Sequence, residues 1–290
     1  MSVTSQPPKA PSRLSTAWWI LRQNPVTLLA LIGALLLALA AIFAPWIAPY
    51  DPLASGAGPA LSPPSAQNWA GTDQIGRDVF SRLIWASRLD LTIALSAVIV
   101  SGAAGAVIGA FSGYMGGRLD RVVGRVVDVM MAFPLFVLAM ALVAALGNSA
   151  ANIIIATAII NLPFYIRVAR AEVNARRGAG WVEAARLAGA SHPQTVLRFL
   201  LPNVLPILAV QLSLNLGWAI INAAGLSFIG LGVQPPTPEW GIMVAEGAAY
   251  ITSGKWWLVA FPGLALTFAV LCFNLAGDGL RDLLDPRTRP

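Results

Sequence analysis

Apolar residues along this chain gather into six long blocks separated by shorter polar stretches. The blocks run roughly over 26–47, 90–112, 127–147, 151–169, 204–231 and 257–277. Each holds about 19 to 28 residues, enough to cross a ~30 Å hydrocarbon core at 1.5 Å per residue. Lipid offers backbone amides no hydrogen-bond partner, so each block has to be helical. The pattern predicts an all-α polytopic membrane protein with six transmembrane helices. The first block, which runs up to Pro45, is too long for the apolar core of a signal peptide, and five more follow, so it is read as an uncleaved first span.

The connections are as informative as the spans. Residues 48–89 open with Pro49, Pro52, Pro59, Pro63 and Pro64, which predicts extended loop. They close on Val79, Phe80, Leu83 and Ile84 at helical spacing, with Arg77, Arg82 and Arg88 off that stripe. This predicts a short amphipathic helix on the membrane surface or on the protein. In 232–256, Pro235, Pro236 and Pro238 forbid continuing helix, while Trp240, Trp256 and Trp257 suit a membrane interface.

Composition supports lipid burial. Of the 290 residues, 57% are hydrophobic and only 11% charged, and the mean hydropathy is +0.70. A soluble domain needs about a quarter charged residues. The pI near 10.2 does not point to nucleic acid, because the basic residues fall in separate short loops without interleaved aromatics. Cys272, the single cysteine, excludes an intrachain disulfide and a Cys-rich metal site and reads as a small buried hydrophobe.

Placement of the positive charges sets orientation. Fifteen of the 19 Lys and Arg fall on one face: Lys9, Arg13 and Arg22; Arg118, Arg121 and Arg125; six between Arg167 and Arg198; and Arg281, Arg287 and Arg289. The other face has Arg77, Arg82, Arg88 and Lys255. The asymmetry predicts that both termini and the 167–200 segment are cytoplasmic.

Within the spans, Gln211, Asn215 and Asn222 share one helix face, and Asn161 and Asn274 stand on two others. Such a stripe either bonds between helices or lines a water-filled path. Gly102, Gly105 and Gly109 give small-residue spacing suited to close helix packing. Asp128 and Asp278 read as capping or pairing groups at helix ends. No span carries a carboxylate or His at mid-depth, which argues against a proton-driven pump. There is no GxxxxGK[ST] and no HExxH, and Gly225–Gly230 has the wrong spacing for GxSxG. His192, the one histidine, reads as a solvated helix-end residue, and metal ligation within the chain is unsupported.

Between two apolar blocks stands a charged, Ala-rich stretch, Glu183–Pro202. Trp181 to Ala190 is good helix sequence, with Glu183 and Arg186 at i, i+3. Gly189 marks the stop and Pro193 enforces it, and a second helix over about 194–200 leads back to Leu201-Pro202. A short helix with a small-residue face, held outside lipid, suits docking into a groove of another protein.

These residues carry a resemblance. Glu183-Ala184-Ala185, then Gly189, then Leu201-Pro202, resembles the cytoplasmic EAA signature of binding-protein-dependent ABC importer permeases. GTDQIGRDVFSRL (71–83), GYMGGRLDR (113–121), LSFIGLGVQPPTPEWG (226–241) and FNLAGDGLRDLLDPR (273–287) are similar to the dipeptide/oligopeptide/nickel permeases, in the subunit type with a long first periplasmic loop. The likeness covers roughly residues 25 to 287.

The resemblance implies a type I ABC importer permease fold in the bacterial inner membrane. Its organisation is a cytoplasmic tail (1–25), a first helix with a periplasmic loop (26–89), a five-helix core (90–280) with a coupling segment at 170–202, and a tail (281–290). It implies a second, homologous permease subunit, two cytoplasmic ATPases that bind the ATP and Mg²⁺, and an external solute-binding protein. The chain itself then needs no cofactor and is not an enzyme. Contact with the ATPase falls to Glu183, Ala184, Ala185, Arg186, Gly189, Ala190, His192 and Pro193. Candidate path residues are Gln211, Asn215, Asn222 and Asn161. Phe199 stands where the signature favours a branched aliphatic residue, and Ala223 where relatives often carry Glu. Peptides are the implied substrate class, with nickel chelates, glutathione and opine-like compounds as alternatives. A polytopic enzyme lacks a nucleophile-base pair or metal ligands here, and a carrier without ATPases leaves the 167–202 segment without a purpose.

Overall fold

A computed structural model of the chain describes residues 24–284. The tails, with Lys9, Arg13, Arg22, Arg287 and Arg289, lie outside the described residues. Nine helices follow one another among them: α1 (Pro25–Ile47), α2 (Val79–Met115), α3 (Gly117–Ala132), α4 (Leu135–Leu146), α5 (Ala150–Arg176), α6 (Gly180–Leu187), α7 (His192–Phe228), α8 (Trp240–Ala248) and α9 (Trp257–Leu284). Five are long and apolar enough to span a bilayer, and α3 with α4 forms a sixth, bent pair. No strand occurs among the described residues.

Helix ends sort to two ends of the bundle. At one, which we call the insert end, residues 48–78 pack with the starts of α2, α8 and α9. Trp257 Nε1 donates to the Thr72 carbonyl at 3.2 Å and Trp240 Nε1 to the Leu83 carbonyl at 3.1 Å. Asn148, between α4 and α5, donates to the Gly230 carbonyl at the same end. At the opposite, elbow end, Arg170 pairs with Asp120 and Arg167 with Asp128, the latter at 2.8 Å. Asp128 is therefore a pairing group, as its position suggested. Gly279 of α9 sits against Thr27 of α1, so the described chain starts and finishes at this end.

Two local predictions change. The amphipathic helix near 79–88 is not separate: it is the first part of α2, which runs unbroken for 37 residues. Within it Arg82 is buried and paired with Glu246, while Arg88 stays exposed. The block at 127–147 is not one rod. Its halves meet at 93° between Ala132 and Leu135. Pro134 lacks an amide proton and pushes Phe133 into extended geometry (φ −85°, ψ 144°), which ends α3. By contrast, Pro163 and Pro262 sit inside α5 and α9.

The most extensive packing joins α2 and α5. Gly105, Gly109 and Gly113 form a groove on α2 into which α5 settles: a Cβ on Gly105 would stand 2.5 Å from Tyr165 Cβ, and one on Gly109 2.9 Å from Ala169 Cβ. In lipid no hydrophobic force pulls helices together, so this intimate contact is what holds them. Gly109→Leu is expected to push α5 off α2 and cost about 1–3 kcal/mol, read as a lower thermal midpoint of the solubilised protein. Elsewhere α1 turns Leu29, Leu35 and Ile42 outward, as a lipid-facing helix must.

Candidate functional site: the elbow, the polar seam and the insert clasp

At the elbow end, α6 is a two-turn helix hung between α5 and α7. Val182, fully buried, anchors it in the main core with Val173, Val196 and Leu200. Its stop has a defined geometry. Gly189 adopts φ +91°, its N–H bonds the Arg186 carbonyl, and the Ala190 N–H reaches back to the Ala185 carbonyl, both at 3.0 Å. This six-to-one and five-to-two pattern requires a residue in left-handed geometry, the conformation glycine adopts without strain. The chain then restarts in a capping box. Ser191 Oγ accepts the Gln194 N–H, and Gln194 Oε1 accepts the Ser191 N–H. Pro193 lies in that first turn.

The predicted second helix over 194–200 is real but continuous with the next span, through a π-helical turn at Thr195–Leu200 whose last bond runs from the Leu201 N–H to the Val196 carbonyl. Such turns widen a helix locally and recur at functional sites. His192 is exposed but not alone: its Nδ1 lies 3.1 Å from the Tyr114 hydroxyl at the end of α2. The remaining elbow residues face outward. Glu183, Ala184 and Arg186 are exposed, Ala185 and Ala190 half-buried, and Leu187 is 90% exposed. Glu183 and Arg186 do not pair; Glu183 has no ion-pair partner among the described residues. Trp181, Ala185, Ala188, Gly189, Gln194, Arg198 and Phe199 enclose an open concavity of about 480 Å³. A large apolar side chain standing fully in solvent beside an apolar hollow is an unpartnered binding surface.

The candidate path residues divide into two sets. Gln211 donates to Asn215 Oδ1 at 3.2 Å along α7, and both are half-buried. Asn161 is completely buried and Asn222 nearly so, and neither finds a full set of partners: both polar atoms of Asn161, Asn222 Oδ1 and Asn215 Nδ2 are unbonded. Thr157 and Tyr165 belong with them, since their hydroxyls are buried and likewise unbonded in hydrogen-bond geometry. Thr157, Asn161 and Tyr165 stand at i, i+4 and i+8 on one face of α5, a spacing that the sequence displays and that marks them as one seam.

At the insert end sequence reasoning missed a clasp. Arg82, 1% exposed, donates to the carbonyls of Pro52 (3.3 Å) and Pro236 (3.2 Å) and to Glu246 Oε2 (3.4 Å). Arg77 bonds Asp73 and lies 3.6 Å from Glu246. Two arginines and two carboxylates thus balance, tying residues 48–78, α2, the 229–239 connection and α8 into one body. Among the described residues no group of three His, Cys, Asp or Glu is placed to hold a metal ion.

A bent helix pair, a long span with a π-helical turn entered through a solvent-exposed elbow, and an ion-paired opposite end are features of a membrane transport subunit. The solved structure of an inward-facing methionine ABC transporter, MetNI, shares this fold: it matches 67% of this chain and 94% of its own with a TM-score of 0.51 at 22% identity. Residues 105–290 match the family described as binding-protein-dependent transport system inner membrane component, and 12–73 the N-terminal transmembrane domain of oligopeptide transport permease C. The chain belongs to this family of binding-protein-dependent ABC transport permeases. It is 45% identical to a probable D,D-dipeptide transport system permease of Escherichia coli K12, over 93% of this chain and 90% of that one. It is 44% identical to a di/tripeptide permease of Pseudomonas aeruginosa (96% and 94%) and 40% identical to a glutathione permease of Escherichia coli O6 (99% and 96%).

Proposed function

We propose that this chain forms one half of the translocation path of an ATP-driven importer for short peptides. The observation that carries the mechanism is the elbow: an eight-residue helix anchored by Val182 that presents Glu183, Leu187 and a 480 Å³ hollow to solvent. The excess of Lys and Arg on that side supports a cytoplasmic elbow end, and with it cytoplasmic termini. There α6 seats in a groove of a cytoplasmic ATPase. A second, homologous permease subunit supplies the other half of the path, and its own elbow engages a second ATPase. ATP and Mg²⁺ are bound and hydrolysed by those partners. An external binding protein delivers the solute to the insert end.

The coupling is thermodynamic. Closure of the ATPase dimer on ATP favours one arrangement of the two elbows, and the permease pair shifts toward the state that fits it. Because α6 is joined to α7 by the capped turn at Ser191, and His192 at the head of α7 touches Tyr114 at the end of α2, its displacement reaches α7 directly and α2 through that contact. Peptides follow from the named substrates of the D,D-dipeptide and di/tripeptide relatives. The glutathione relatives support a second reading, in which the solute is glutathione. A ligand screen on the cognate binding protein separates the two.

Glu183→Arg tests the docking. In the co-expressed complex this variant is expected to lose co-purifying ATPase while the permease itself stays folded, since Glu183 is exposed and unpaired. Normal assembly and normal uptake by that variant would remove the role given to Glu183.

A further inference from the structure

α2 is longer than a bilayer needs. Its 37 residues extend about 55 Å at 1.5 Å per residue, against ~30 Å of hydrocarbon. Gly116, Gly117 and Arg118 bound it at the elbow end, so the excess lies at the insert end, where Asp90 meets Glu239. Asp90 is 1% exposed and Glu239 is 0% exposed. The Trp240 N–H, which belongs to the residue after Glu239, bonds Asp90 at 3.1 Å and sets the two carboxyl groups side by side.

The donors facing them can be counted. Glu239 caps α8: one oxygen accepts the Gly241 N–H at 2.9 Å, the other the Ile242 N–H at 2.8 Å, and the Ser227 hydroxyl is a third donor to this carboxylate. Asp90 Oδ2 accepts the Trp240 N–H at 3.1 Å. Asp90 Oδ1 is buried and no donor reaches it. No cation faces the pair either. α4, residues 150–166 of α5, residues 208–228 of α7 and the 229–238 connection carry no charged residue. On α2, Arg82 is engaged with Glu246 and two carbonyls, and Arg88 is exposed over the Trp85 ring. On α8, Glu246 belongs to the arginine clasp. The neighbouring core, including Ile93, Leu226 and Val233, is apolar.

Two touching carboxylates in a dry site cannot both be ionised. Burial also pushes the Glu239 carboxyl above its ordinary range. The position of the proton follows from the donor count, because the oxygen that lacks a donor is the one that has to be one. We propose that Asp90 carries a proton on Oδ1 and donates it to a Glu239 oxygen, so that α2 and α8 are held together by a singly protonated carboxyl pair. When the two segments part, both groups become solvated carboxylates and the proton passes to water. When they rejoin, one proton is taken up from water. The sign follows: the clasp is at full strength below the ordinary carboxylate range and is lost as pH rises through the upper titration of the pair. Acid at the insert end therefore holds α8 against α2, and alkali frees it.

Infrared difference spectroscopy on the full chain in its assembled complex reads the proton directly. The wild-type spectrum minus that of Asp90→Asn at pH 7 is expected to show one protonated-carboxyl C=O band per chain that shifts in D₂O. In Glu239→Gln that band is expected to titrate away at lower pH than in wild type, because the neighbouring charge that retains the proton is gone. A flat difference spectrum, or a band that titrates identically in Glu239→Gln, overturns the proposal. Should Asp90→Asn fail to assemble, the titration of the wild-type band and its shift in Glu239→Gln decide the matter. Neither readout involves the transported solute, so failure here is distinct from failure of the import reading.

Discussion

Arg82→Ala is expected to destabilise the folded chain by about 3–5 kcal/mol, the cost of leaving buried charge without its partner. The side chain is 1% exposed and serves four acceptors at once: the carbonyls of Pro52 and Pro236, and the carboxylates of Glu246 and Asp73, the last at 3.8 Å. Removing it leaves Asp73 and Glu246 to share Arg77 as their one cation, and detaches residues 48–78 from the 229–239 connection. Arg82→Lys keeps the charge but not the planar fork, so it recovers only part of the loss. Arg82→Leu combined with Glu246→Gln is expected to fare better than Arg82→Ala, because no bare carboxylate remains on α8. Thermal midpoints and the yield of monodisperse protein after solubilisation measure both effects. An Arg82→Ala midpoint equal to wild type would mean that water reaches the clasp and that it contributes little.

Leu187→Asp is expected to weaken ATPase docking about thirtyfold, with the permease fold intact. The side chain is 90% exposed, so nothing in the chain itself is lost. Burial of a leucine in a partner's groove contributes about 2 kcal/mol, and each 1.4 kcal/mol is a tenfold change in affinity. An aspartate in that groove also has to be desolvated, which makes thirtyfold a lower figure. Titrating ATPase subunits onto permease pairs held in nanodiscs gives the ratio. Uptake into proteoliposomes should fall in step with lost binding. Unchanged affinity would show that α6 engages its partner through Trp181 and Ala185 rather than through its tip.

The spans and the elbow were legible in the sequence because each depends on neighbours in the chain. A block of apolar residues long enough to cross lipid has no other fold available, and Gly189 with Pro193 ends a helix wherever it lies. What escaped depends on residues far apart. Arg82 was read only as lying off the apolar stripe of a surface helix, because Glu246, with which it pairs, follows 164 residues later. Asp90 read as the edge of an apolar block, since its contact to the Trp240 amide spans 150 residues. The break in the third block was signalled by Pro134, but Pro163 and Pro262 are tolerated within their helices, so proline alone did not decide it. Of the seam only Asn161 was read from the sequence; Thr157 and Tyr165 were missed, although their spacing of four from it is there to see. That the seam is enclosed was not legible, because it rests on the glycines of α2 admitting α5 so closely.

That closeness bears on how force crosses the molecule. α2 touches the His192 turn at Tyr114 and the arginine clasp at Arg82, with no proline and no break between them. A rod gripped at the Gly105–Gly113 groove, close to its elbow end, behaves as a lever with a short arm at Tyr114 and a long arm reaching Arg82. A small sideways stroke at one tip is returned at the other in the opposite sense. Stiffness of the rod, rather than any chain of intermediate side chains, then sets how faithfully the two ends move together, and a proline placed on α2 between Asp90 and Gly102 should decouple them without touching either end.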